Sequence, residues 1–255
     1  MDDEQRERQR VVVVTGAGTG IGRETARAFA AQGPGVRVVA VGRRPEPLEG
    51  TAAAHPERIL PLVADVTGPG APEAIVREAT ERYGRLDVLV NNAAVVGGGE
   101  LGGLTRERVG ALLATNLVAP VLLGQAALPA LTRSRGVIVN ISTAVGQRGW
   151  PRDSVYAAGK AALESVTRSW AVQLAPRGVR VVAVAPGAVD TPIGEHTGLG
   201  PEQLAALRAW QVAHTPLGRI AQPAEIAWAV TQLASPQASF VTGVVFSVDG
   251  GALVM

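Results

Sequence analysis

Short runs of β-branched residues recur along the chain and alternate with longer alanine-rich stretches. The runs occupy residues 11–14, 37–41, 59–63, 88–90, 136–141, 180–185 and 244–248. Each run is short and apolar on both faces, which is typical of strands buried inside a parallel sheet. Helices are predicted to begin near Gly20, Pro72, Arg106, Ser154 and Pro223, where glycine, proline or polar capping residues precede them. Strands and helices therefore alternate from one end of the chain to the other.

This alternation predicts an α/β fold, a single Rossmann-type doubly wound parallel sheet of about seven strands flanked by helices. No repeat or low-complexity linker divides the 255 residues. Residues 1–10 are polar and are interpreted as a flexible N-terminal tail, and residues 11–255 as one domain. Residues 188–219 lack strand character, carry several glycines and prolines, and include a helix predicted at 202–212. We interpret them as a substrate lid, with a packing excursion or subunit contact as the alternative.

Composition excludes several classes of function. The net charge is only +2 and the arginines are scattered, which argues against nucleic acid as a partner. The absence of cysteine excludes disulfides, thiolate metal sites and cysteine nucleophiles. His55, His196 and His214 lack metal-ligand spacing, so no metal site is predicted. No uninterrupted apolar segment approaches the roughly twenty residues that cross a bilayer, so a cytoplasmic protein without a membrane partner is expected. The alanine-, glycine- and arginine-rich composition suggests a bacterial source.

A glycine-rich loop follows the first predicted strand directly. It contains Gly16, Gly18, Thr19, Gly20, Ile21 and Gly22, and a helical segment continues from it. A strand that feeds a helix through glycines lets the backbone approach a pyrophosphate, whose charge the helix N-terminus stabilises. The loop therefore predicts a dinucleotide site, against the alternative of a purely structural turn.

The end of the second predicted strand predicts which dinucleotide binds. An acidic residue there would accept a hydrogen bond from the adenosine ribose and favour NAD. The chain instead has Arg43 and Arg44, whose guanidinium groups can bind a 2′-phosphate. NADP(H) is therefore predicted, with two merely solvated loop arginines as the alternative.

The only lysine of the chain, Lys160, follows Tyr156 by four residues, and Tyr156 is one of only two tyrosines. Positions i and i+4 of a helix share a face, so both side chains can point into one crevice. A nearby ammonium favours the phenolate and would lower the pKa of Tyr156, which otherwise titrates near 10. The pair is interpreted as an acid-base group and its cation, although a solvated lysine on an ordinary helix has the same spacing.

These motifs, taken in order, resemble the classical short-chain dehydrogenases/reductases over nearly the whole length after the tail. The glycine loop is followed by Asp65-Val66, by Asn91-Asn-Ala-Ala94, by Asn116, Ser142, Tyr156 and Lys160, by Pro186-Gly-Ala-Val-Asp-Thr-Pro192 and by Asp249-Gly-Gly251. Ala94 and Gly159 depart from the residues common in the family, glycine and serine respectively. Both replacements are small and leave the reacting side chains intact.

The resemblance implies a set of site residues. The implied catalytic residues are Asn116, Ser142, Tyr156 and Lys160, with Ser142 orienting the substrate oxygen and Asn116 anchoring a water on a proton relay. The implied cofactor contacts beyond the glycine loop and the two arginines are Asp65, Val66, Asn92, Pro186, Gly187, Val189 and Thr191, together with Tyr156 and Lys160. The substrate pocket is expected within residues 95–101, 143–153 and 193–215, where Trp150 and Trp210 offer flat apolar surface.

The leading hypothesis is an NADP(H)-dependent ketoreductase that reduces a small-molecule carbonyl to an alcohol. A biosynthetic role would fit a bacterial source. One alternative is an NAD-linked alcohol dehydrogenase, and another is a non-catalytic NADP-binding regulator. The resemblance also implies a homotetramer or a homodimer, assembled through paired helices and the C-terminal strand region.

Overall fold

The computed structural model describes residues 9–97, 99–147, 153–193 and 200–255. Their strands form one parallel sheet in the order β3-β2-β1-β4-β5-β6-β7. The strands are β1 (Arg10–Thr15), β2 (Val36–Gly42), β3 (Ile59–Val63), β4 (Val88–Asn91), β5 (Val137–Ile141), β6 (Arg180–Pro186) and β7 (Val245–Val248). The strand order reverses between β1 and β4, where the carboxyl ends of an open parallel sheet leave a crevice. The predicted doubly wound parallel sheet is confirmed.

Among the described residues, eight α-helices connect the strands and cover both faces of the sheet. They are α1 (Gly20–Ala30), α2 (Pro45–Ala52), α3 (Ala71–Tyr83), α4 (Arg106–Leu113), α5 (Ala119–Ser134), α6 (Ser154–Leu174), α7 (Pro201–Ala213) and α8 (Pro223–Ala234). Four predicted helix starts are confirmed, and α3 begins at Ala71, one residue before the predicted Pro72. The sequence analysis did not predict α2. Its two prolines and a glycine concealed the helical pattern.

The first strand begins earlier than predicted. Arg10 belongs to β1, and its amide nitrogen donates to the Gly35 carbonyl oxygen at 2.8 Å. Its guanidinium lies 5.5 Å from the centre of the Phe29 ring, and Gln9 is buried. The predicted tail of residues 1–10 is therefore too long at its C-terminal end, because these side chains pack on the sheet. Residues 1–8 lie outside the described residues.

The core forms two apolar layers, one on each face of the central strands. Val12, Val14 and Phe29 lie in one layer, whereas Val13 and Leu89 lie in the other. The expectation that every strand is buried inside the sheet is wrong at the edges of the sheet. In β3 only Ile59 is buried, while Pro61 and Val63 are exposed, and β7 has no fully buried residue. Each edge strand has a neighbour on one side only, so helices cover it incompletely.

A chain of buried amides crosses the middle of the sheet. Asn91 Nδ2 donates to Asn140 Oδ1 at 2.9 Å, and Asn140 Nδ2 donates to Thr167 Oγ1 at 2.8 Å. These bonds connect β4, β5 and α6. Because a buried amide without partners costs free energy, the chain fixes α6 relative to the ends of both strands.

Residues 106–134 form a continuous helical stretch that is long and apolar enough, by length and composition alone, to cross a membrane. The sequence analysis had expected no such segment. In the structure the stretch belongs to the helical layer, and its Leu123, Ala127 and Leu131 lie in the core beside Leu89 and Ile138. Packing against the sheet therefore accounts for the apolar residues on its buried face.

The region predicted as a lid leaves the sheet after β6 and returns before α8. Val189 pairs with Ala221 in an isolated parallel bridge, so both ends of the excursion meet. Its helix α7 extends one residue beyond the predicted 202–212 at each end, and no residue of α7 is fully buried. Arg208 connects α7 to the loop after β6 through an ion pair with Asp190 at 3.0 Å. The lid function itself stays a prediction.

Candidate active site

The glycine loop between β1 and α1 is shaped by contacts that leave no space for a side chain. Gly16 has φ +66°, and a Cβ atom there would lie 2.9 Å from Ala93 Cα and from Asn92 Nδ2. A Cβ atom on Gly22 would overlap the Gly16 carbonyl oxygen. Both glycines therefore allow the loop to pack closely on itself and on residues 92–93 at the end of β4. The N-terminus of α1 is also open, since Thr19 makes no side-chain capping bond and the first turn carries no acidic residue.

A hydrogen-bonded clamp fixes this loop to the end of β4. The buried Thr15 hydroxyl donates to the Val90 carbonyl oxygen at 3.2 Å and accepts from the amide nitrogens of Asn92 and Ala93, both at 3.0 Å. Asn92 Nδ2 donates to the Thr15 carbonyl oxygen at 2.8 Å. The clamp joins β1 to β4 at the point where the strand order reverses. Asn92, an implied cofactor contact, thus makes a structural hydrogen bond in addition to lining the crevice.

The crevice is a cavity of about 690 Å³. The predicted cofactor residues that line it are Gly16, Gly18, Thr19, Gly20, Ile21, Gly22, Arg43, Arg44, Asp65, Val66, Asn92 and Thr191. The other predicted cofactor residues do not line it; they are Tyr156, Lys160, Pro186, Gly187 and Val189. Gly187 instead bonds to Val248, and Val189 pairs with Ala221. A cavity that is lined by a glycine-rich loop and by an uncapped helix N-terminus suits the pyrophosphate of a dinucleotide.

Tyr156 and Lys160 lie on α6, close to the carboxyl end of β5. Lys160 is buried, with 2% of its surface exposed, and its Nζ donates to the Ile141 carbonyl oxygen at 2.7 Å. The same Nζ lies 6.0 Å from the centre of the Tyr156 ring. The helix therefore brings the two side chains together, as their spacing predicted.

The electrostatics of this pair differ from the prediction. Burial, followed by the charge of Asp153, raises the pKa of Tyr156 to about 12, while a side-chain hydrogen bond with Thr143 acts in the opposite direction. Burial lowers the pKa of Lys160 to about 8. The predicted lowering of the Tyr156 pKa by Lys160 is therefore wrong for this structure, because the cost of burying a phenolate dominates and the ammonium is bound to the Ile141 carbonyl.

Two adjacent hydroxyls follow β5, and they point to different partners. Ser142 is 3% exposed, and its Oγ donates to Glu164 Oε1 at 2.7 Å and, more weakly, to the Lys160 carbonyl oxygen at 3.4 Å. Thr143 is the residue that makes a side-chain hydrogen bond with Tyr156. The assignment of Ser142 as the hydroxyl that orients the substrate oxygen is therefore corrected. Its hydroxyl is held by a carboxylate, and Thr143 stands beside Tyr156.

Asn116 lies where a π-helical turn, Ala114–Val118, interrupts the helical stretch between α4 and α5. Single π-turns of this kind are frequent at functional sites. The side chain is 1% exposed, and both of its polar atoms bind the backbone of Val95: Nδ2 donates to the carbonyl oxygen at 2.8 Å and Oδ1 accepts from the amide at 3.1 Å. Asn116 thus holds the segment that leaves β4 toward the predicted substrate pocket.

Comparison with known proteins identifies the family. A family model described as enoyl-(acyl carrier protein) reductase matches residues 16–252. The 3-oxoacyl-(acyl-carrier-protein) reductase FabG of Thermotoga maritima is 36% identical over 247 residues, which cover 96% of this chain and 98% of that protein. The chain belongs to the classical short-chain dehydrogenase/reductase family. It is an oxidoreductase that uses a nicotinamide cofactor.

Two further similar proteins show how broad this short-chain dehydrogenase/reductase family is. The cis-4-hydroxycyclohexanecarboxylate dehydrogenase of Sinomonas cyclohexanicum is 38% identical over 248 residues, covering 95% of this chain and 96% of that one. The crystal structure of 3-ketoacyl-(acyl-carrier-protein) reductase from Brucella melitensis, complexed with NADH, matches with a TM-score of 0.87 at 31% identity. That match covers 96% of this chain and 98% of the other. The shared family therefore fixes the fold and the reaction class, whereas substrates differ among its members.

One end of the cavity carries positive charge in this short-chain dehydrogenase/reductase. Arg43 and Arg44 follow β2, line the cavity and are exposed. Asp65, which follows the neighbouring strand β3 and also lines the cavity, accepts hydrogen bonds from the Thr67 amide at 2.9 Å and from its hydroxyl at 2.7 Å. These two bonds, and more weakly the charge of Arg43, hold the pKa of Asp65 below its usual value.

The predicted substrate segments are only partly described. Residues 95–97 and Ile193 line the cavity, whereas residues 98, 148–152 and 194–199, with Trp150 and His196, lie outside the described residues. Trp210 is 39% exposed and stacks on His214 with 4.2 Å between ring centres. Trp210 does not line the described cavity, so its predicted contact with substrate stays a prediction.

Sequence reasoning missed several residues that support the site. Arg23 donates to the carbonyl oxygens of Gly18 and Pro47, and Thr51 donates to the Ala17 carbonyl oxygen at 2.8 Å. Together they anchor the glycine loop to α2. Arg108 lines the cavity and donates from Nε to the Gly97 carbonyl oxygen at 2.8 Å. None of these long-range contacts has a local sequence signature. Thr143 was expected only as part of the substrate pocket and not as a reacting group, although it is adjacent to Ser142.

Proposed function

We propose that this protein is an NADP(H)-dependent ketoreductase that converts a carbonyl to an alcohol. The observation that carries the proposal is the arrangement of Tyr156, hydrogen-bonded to Thr143 and close to the buried Lys160. Hydride addition to a carbonyl carbon builds negative charge on the oxygen, so the site needs a proton donor and a second donor for the same atom. Tyr156 and Thr143 supply these two groups.

The bound dinucleotide would supply the hydride that the carbonyl carbon accepts. Because the pKa of Tyr156 is raised to about 12, its phenol is protonated at neutral pH and is ready to give its proton to the carbonyl oxygen. Thr143 donates a hydrogen bond that orients this oxygen. Lys160, with a pKa of about 8, is charged at neutral pH and would help to bind the cofactor. A proton from solvent then restores the phenol, with Asn116 supporting the relay.

The residues of the crevice fit the cofactor. The Gly16 and Gly22 positions leave no space for a Cβ atom, and the N-terminus of α1 has neither a capping side chain nor an acidic residue in its first turn. An acidic first turn would repel a pyrophosphate. The glycine loop would therefore hold the pyrophosphate, and Asp65 the adenine amine. In this proposal Thr191, which lines the cavity, holds the nicotinamide carboxamide.

Arg43 and Arg44 support NADP(H) over NAD(H). They stand at the end of β2, and the cavity wall of residues 42–44 carries no carboxylate to accept a bond from the ribose 2′-hydroxyl. A charge-assisted hydrogen bond contributes about 1.5–3 kcal/mol. We expect replacement of both arginines by alanine to weaken NADPH binding by about 10- to 150-fold, while the dissociation constant of NADH stays within about twofold. Tighter binding of NADH than NADPH by the wild type would contradict the assignment.

The experiment that tests the function is a panel of ketones and alcohols assayed with both nicotinamide cofactors. Tyr156→Phe removes the proton donor and keeps the ring, so ketone reduction should be lost while the dissociation constant of NADPH changes little. Undiminished turnover by this variant would refute the mechanism. Oxidation of alcohols with NAD as the preferred cofactor would instead establish the NAD-linked dehydrogenase. Cofactor binding without turnover of any compound would point to the non-catalytic regulator.

The substrate is proposed as a small acyl, polyketide-like or sugar-like ketone. The similar proteins include a reductase of 3-oxoacyl-(acyl carrier protein) and a dehydrogenase of a hydroxycyclohexanecarboxylate, so both linear and cyclic compounds belong in the panel. We propose a cytoplasmic bacterial enzyme with no nucleic-acid or membrane partner.

Two exposed apolar surfaces support assembly into a homotetramer or homodimer. One lies on neighbouring helices and carries Val118, Leu122 and Val172, which are 47%, 41% and 80% exposed. The other lies at the free edge of β7, where Phe246 is 39% exposed and Trp228 of α8 is 58% exposed. Exposed apolar patches of this kind commonly mark contacts between subunits. We propose that both surfaces are covered by copies of this chain.

A further inference from the structure

Glu164 is a buried carboxyl group that takes no part in the proposed reaction. It is 5% exposed and lies on α6, one helical turn after Lys160. Its Oε1 accepts a hydrogen bond from Ser142 Oγ at 2.7 Å and another from Gln147 Nε2 at 3.2 Å. Burial of a carboxyl group is costly unless hydrogen bonds compensate for the lost water. The hydrogen bonds from Ser142 and Gln147 provide this compensation. They also attach Glu164 to the segment that follows β5.

The two donors stand at opposite ends of one short segment. Ser142 directly follows β5, and Gln147 ends the single 3-10 turn Ala144–Gln147. Thr143 lies between them, and its carbonyl oxygen accepts from the Gly146 amide at 3.1 Å. One carboxylate oxygen on α6 therefore fixes both ends of the segment that carries Thr143. The same helix carries Tyr156, the hydrogen-bond partner of Thr143.

We propose that Glu164 is a positioning residue that holds the Thr143 hydroxyl against Tyr156. This proposal rests on the proposed function, in which Thr143 and Tyr156 share the substrate oxygen. Ser142 belongs to the support and not to the reacting groups. The geometry explains why the first of two adjacent hydroxyls after β5 is turned into the protein and only the second faces the tyrosine.

The central variant is Glu164→Leu, which keeps the volume and removes the acceptor. Displacement of a reacting group by about 1 Å costs up to about 100-fold in rate, so we expect kcat for ketone reduction to fall by about 10- to 100-fold. The dissociation constant of NADPH should stay within about twofold, because Glu164 does not line the cofactor cavity. Glu164→Gln retains a carbonyl oxygen at the same position, and it should keep kcat within about threefold of the wild type.

A double-mutant cycle separates positioning from general damage. In a Thr143→Val background the positioned hydroxyl is already absent, so Glu164→Leu should lower kcat by less than about twofold further. An equal loss in both backgrounds would overturn the proposal, as would a folded Glu164→Leu variant with unchanged kcat. Glu225→Gln is the matched control, since Glu225 is an exposed carboxylate paired with Arg219 at 2.6 Å on α8. It should leave kcat unchanged.

A spectroscopic measurement makes the test independent of turnover. Tyr83 and Tyr156 are the only tyrosines, so 3-fluorotyrosine in a Tyr83→Phe background gives one fluorine resonance, that of Tyr156. We expect Glu164→Leu to shift this resonance in the same direction as Thr143→Val, and Glu164→Gln to leave it in place. An unmoved resonance in Glu164→Leu would overturn the proposal. If the wild type did not reduce ketones, the proposed function would be refuted. The Tyr156 resonance would still test the positioning role of Glu164, because it does not depend on turnover.

Gln147→Leu serves if Glu164→Leu does not accumulate as folded protein. It removes the donor at the far end of the segment and leaves the bond between Glu164 and Ser142 intact. Loss of one hydrogen bond from an exposed side chain corresponds to about 1 kcal/mol, so kcat should fall by about fivefold with the NADPH dissociation constant unchanged. An unchanged kcat and an unmoved Tyr156 resonance in Gln147→Leu would contradict the positioning role.

Discussion

The buried ammonium of Lys160 makes folding stability depend on pH in a direction that can be measured. Lys160 is 2% exposed, and burial lowers its pKa from 10.5 to about 8. At about 1.4 kcal/mol for each pH unit, this gap means that carrying the charge costs the folded state roughly 3 kcal/mol at pH 7. Between pH 8 and pH 10.5 the unfolded chain holds a proton that the folded chain releases. Stability contributed by this residue therefore rises with pH, and the penalty at pH 9 is about 2 kcal/mol.

Lys160→Met isolates this effect. The substitution also removes the bond to the Ile141 carbonyl oxygen, which costs about 1–3 kcal/mol, but that loss is the same at both pH values. The free energy of unfolding in urea should be measured at pH 7 and pH 9, at equal protein concentration, for the wild type and the variant. We expect the wild type to gain about 1 kcal/mol relative to the variant on going from pH 7 to pH 9.

Tyr156→Phe is the control for this measurement. The pKa of Tyr156 is about 12, so its phenol is protonated at both pH values and its contribution should not change between them. A difference between the wild type and Lys160→Met that is the same at pH 7 and pH 9 would refute the argument. So would a change of opposite sign, because it would mean that the folded state favours the ammonium.

Three further predictions concern the loop, the hydroxyls and the assembly. Gly22→Ala should abolish NADPH binding measured by fluorescence, since its Cβ would displace the carbonyl of Gly16; retained affinity would contradict the close approach. In steady-state kinetics, Thr143→Val should lower kcat by about 100-fold, whereas Ser142→Ala should lower it by only about 10-fold. The reverse order would mean that Ser142, and not Thr143, is the reacting hydroxyl. Phe246→Asp should halve the mass of the assembly in light scattering with the circular dichroism spectrum unchanged, and an unchanged mass would remove the β7 edge from the proposed interface.

The sequence was sufficient for the sheet and for the glycine loop because both are local patterns. Val11–Val14 form part of β1 because a continuous β-branched run has one favourable place in an α/β protein, between two helical layers. A Cβ atom at Gly16 or Gly22 would clash with neighbouring atoms, and the glycine spacing of the loop already indicates that these positions must be glycine. The strands at the sheet edges were less predictable, since exposure in β3 and β7 depends on which strand has a second neighbour.

The choice between Ser142 and Thr143 could not be made from the sequence. Successive side chains of an extended segment point to opposite sides, so one of two adjacent hydroxyls must turn away from Tyr156. Which one turns away is decided by Glu164, which lies 22 positions later in the chain than Ser142. The direction of the Tyr156 pKa shift was missed for a related reason. The spacing of Tyr156 and Lys160 shows that they meet, but only the structure shows that Lys160 is buried and that desolvation raises the pKa of Tyr156.

The clamp between Thr15 and Asn92 has a consequence for how fast the cofactor binds. Its bonds cross from the end of β1 to the end of β4 and involve only residues of this chain. The position of the glycine loop relative to the end of β4 is therefore set during folding and not by the ligand. A preorganised site does not have to order its walls on binding, so little of the binding energy is lost there. Association with the dinucleotide should then be limited by diffusional encounter, and differences in affinity among variants of the arginines after β2 should appear mainly in the dissociation rate.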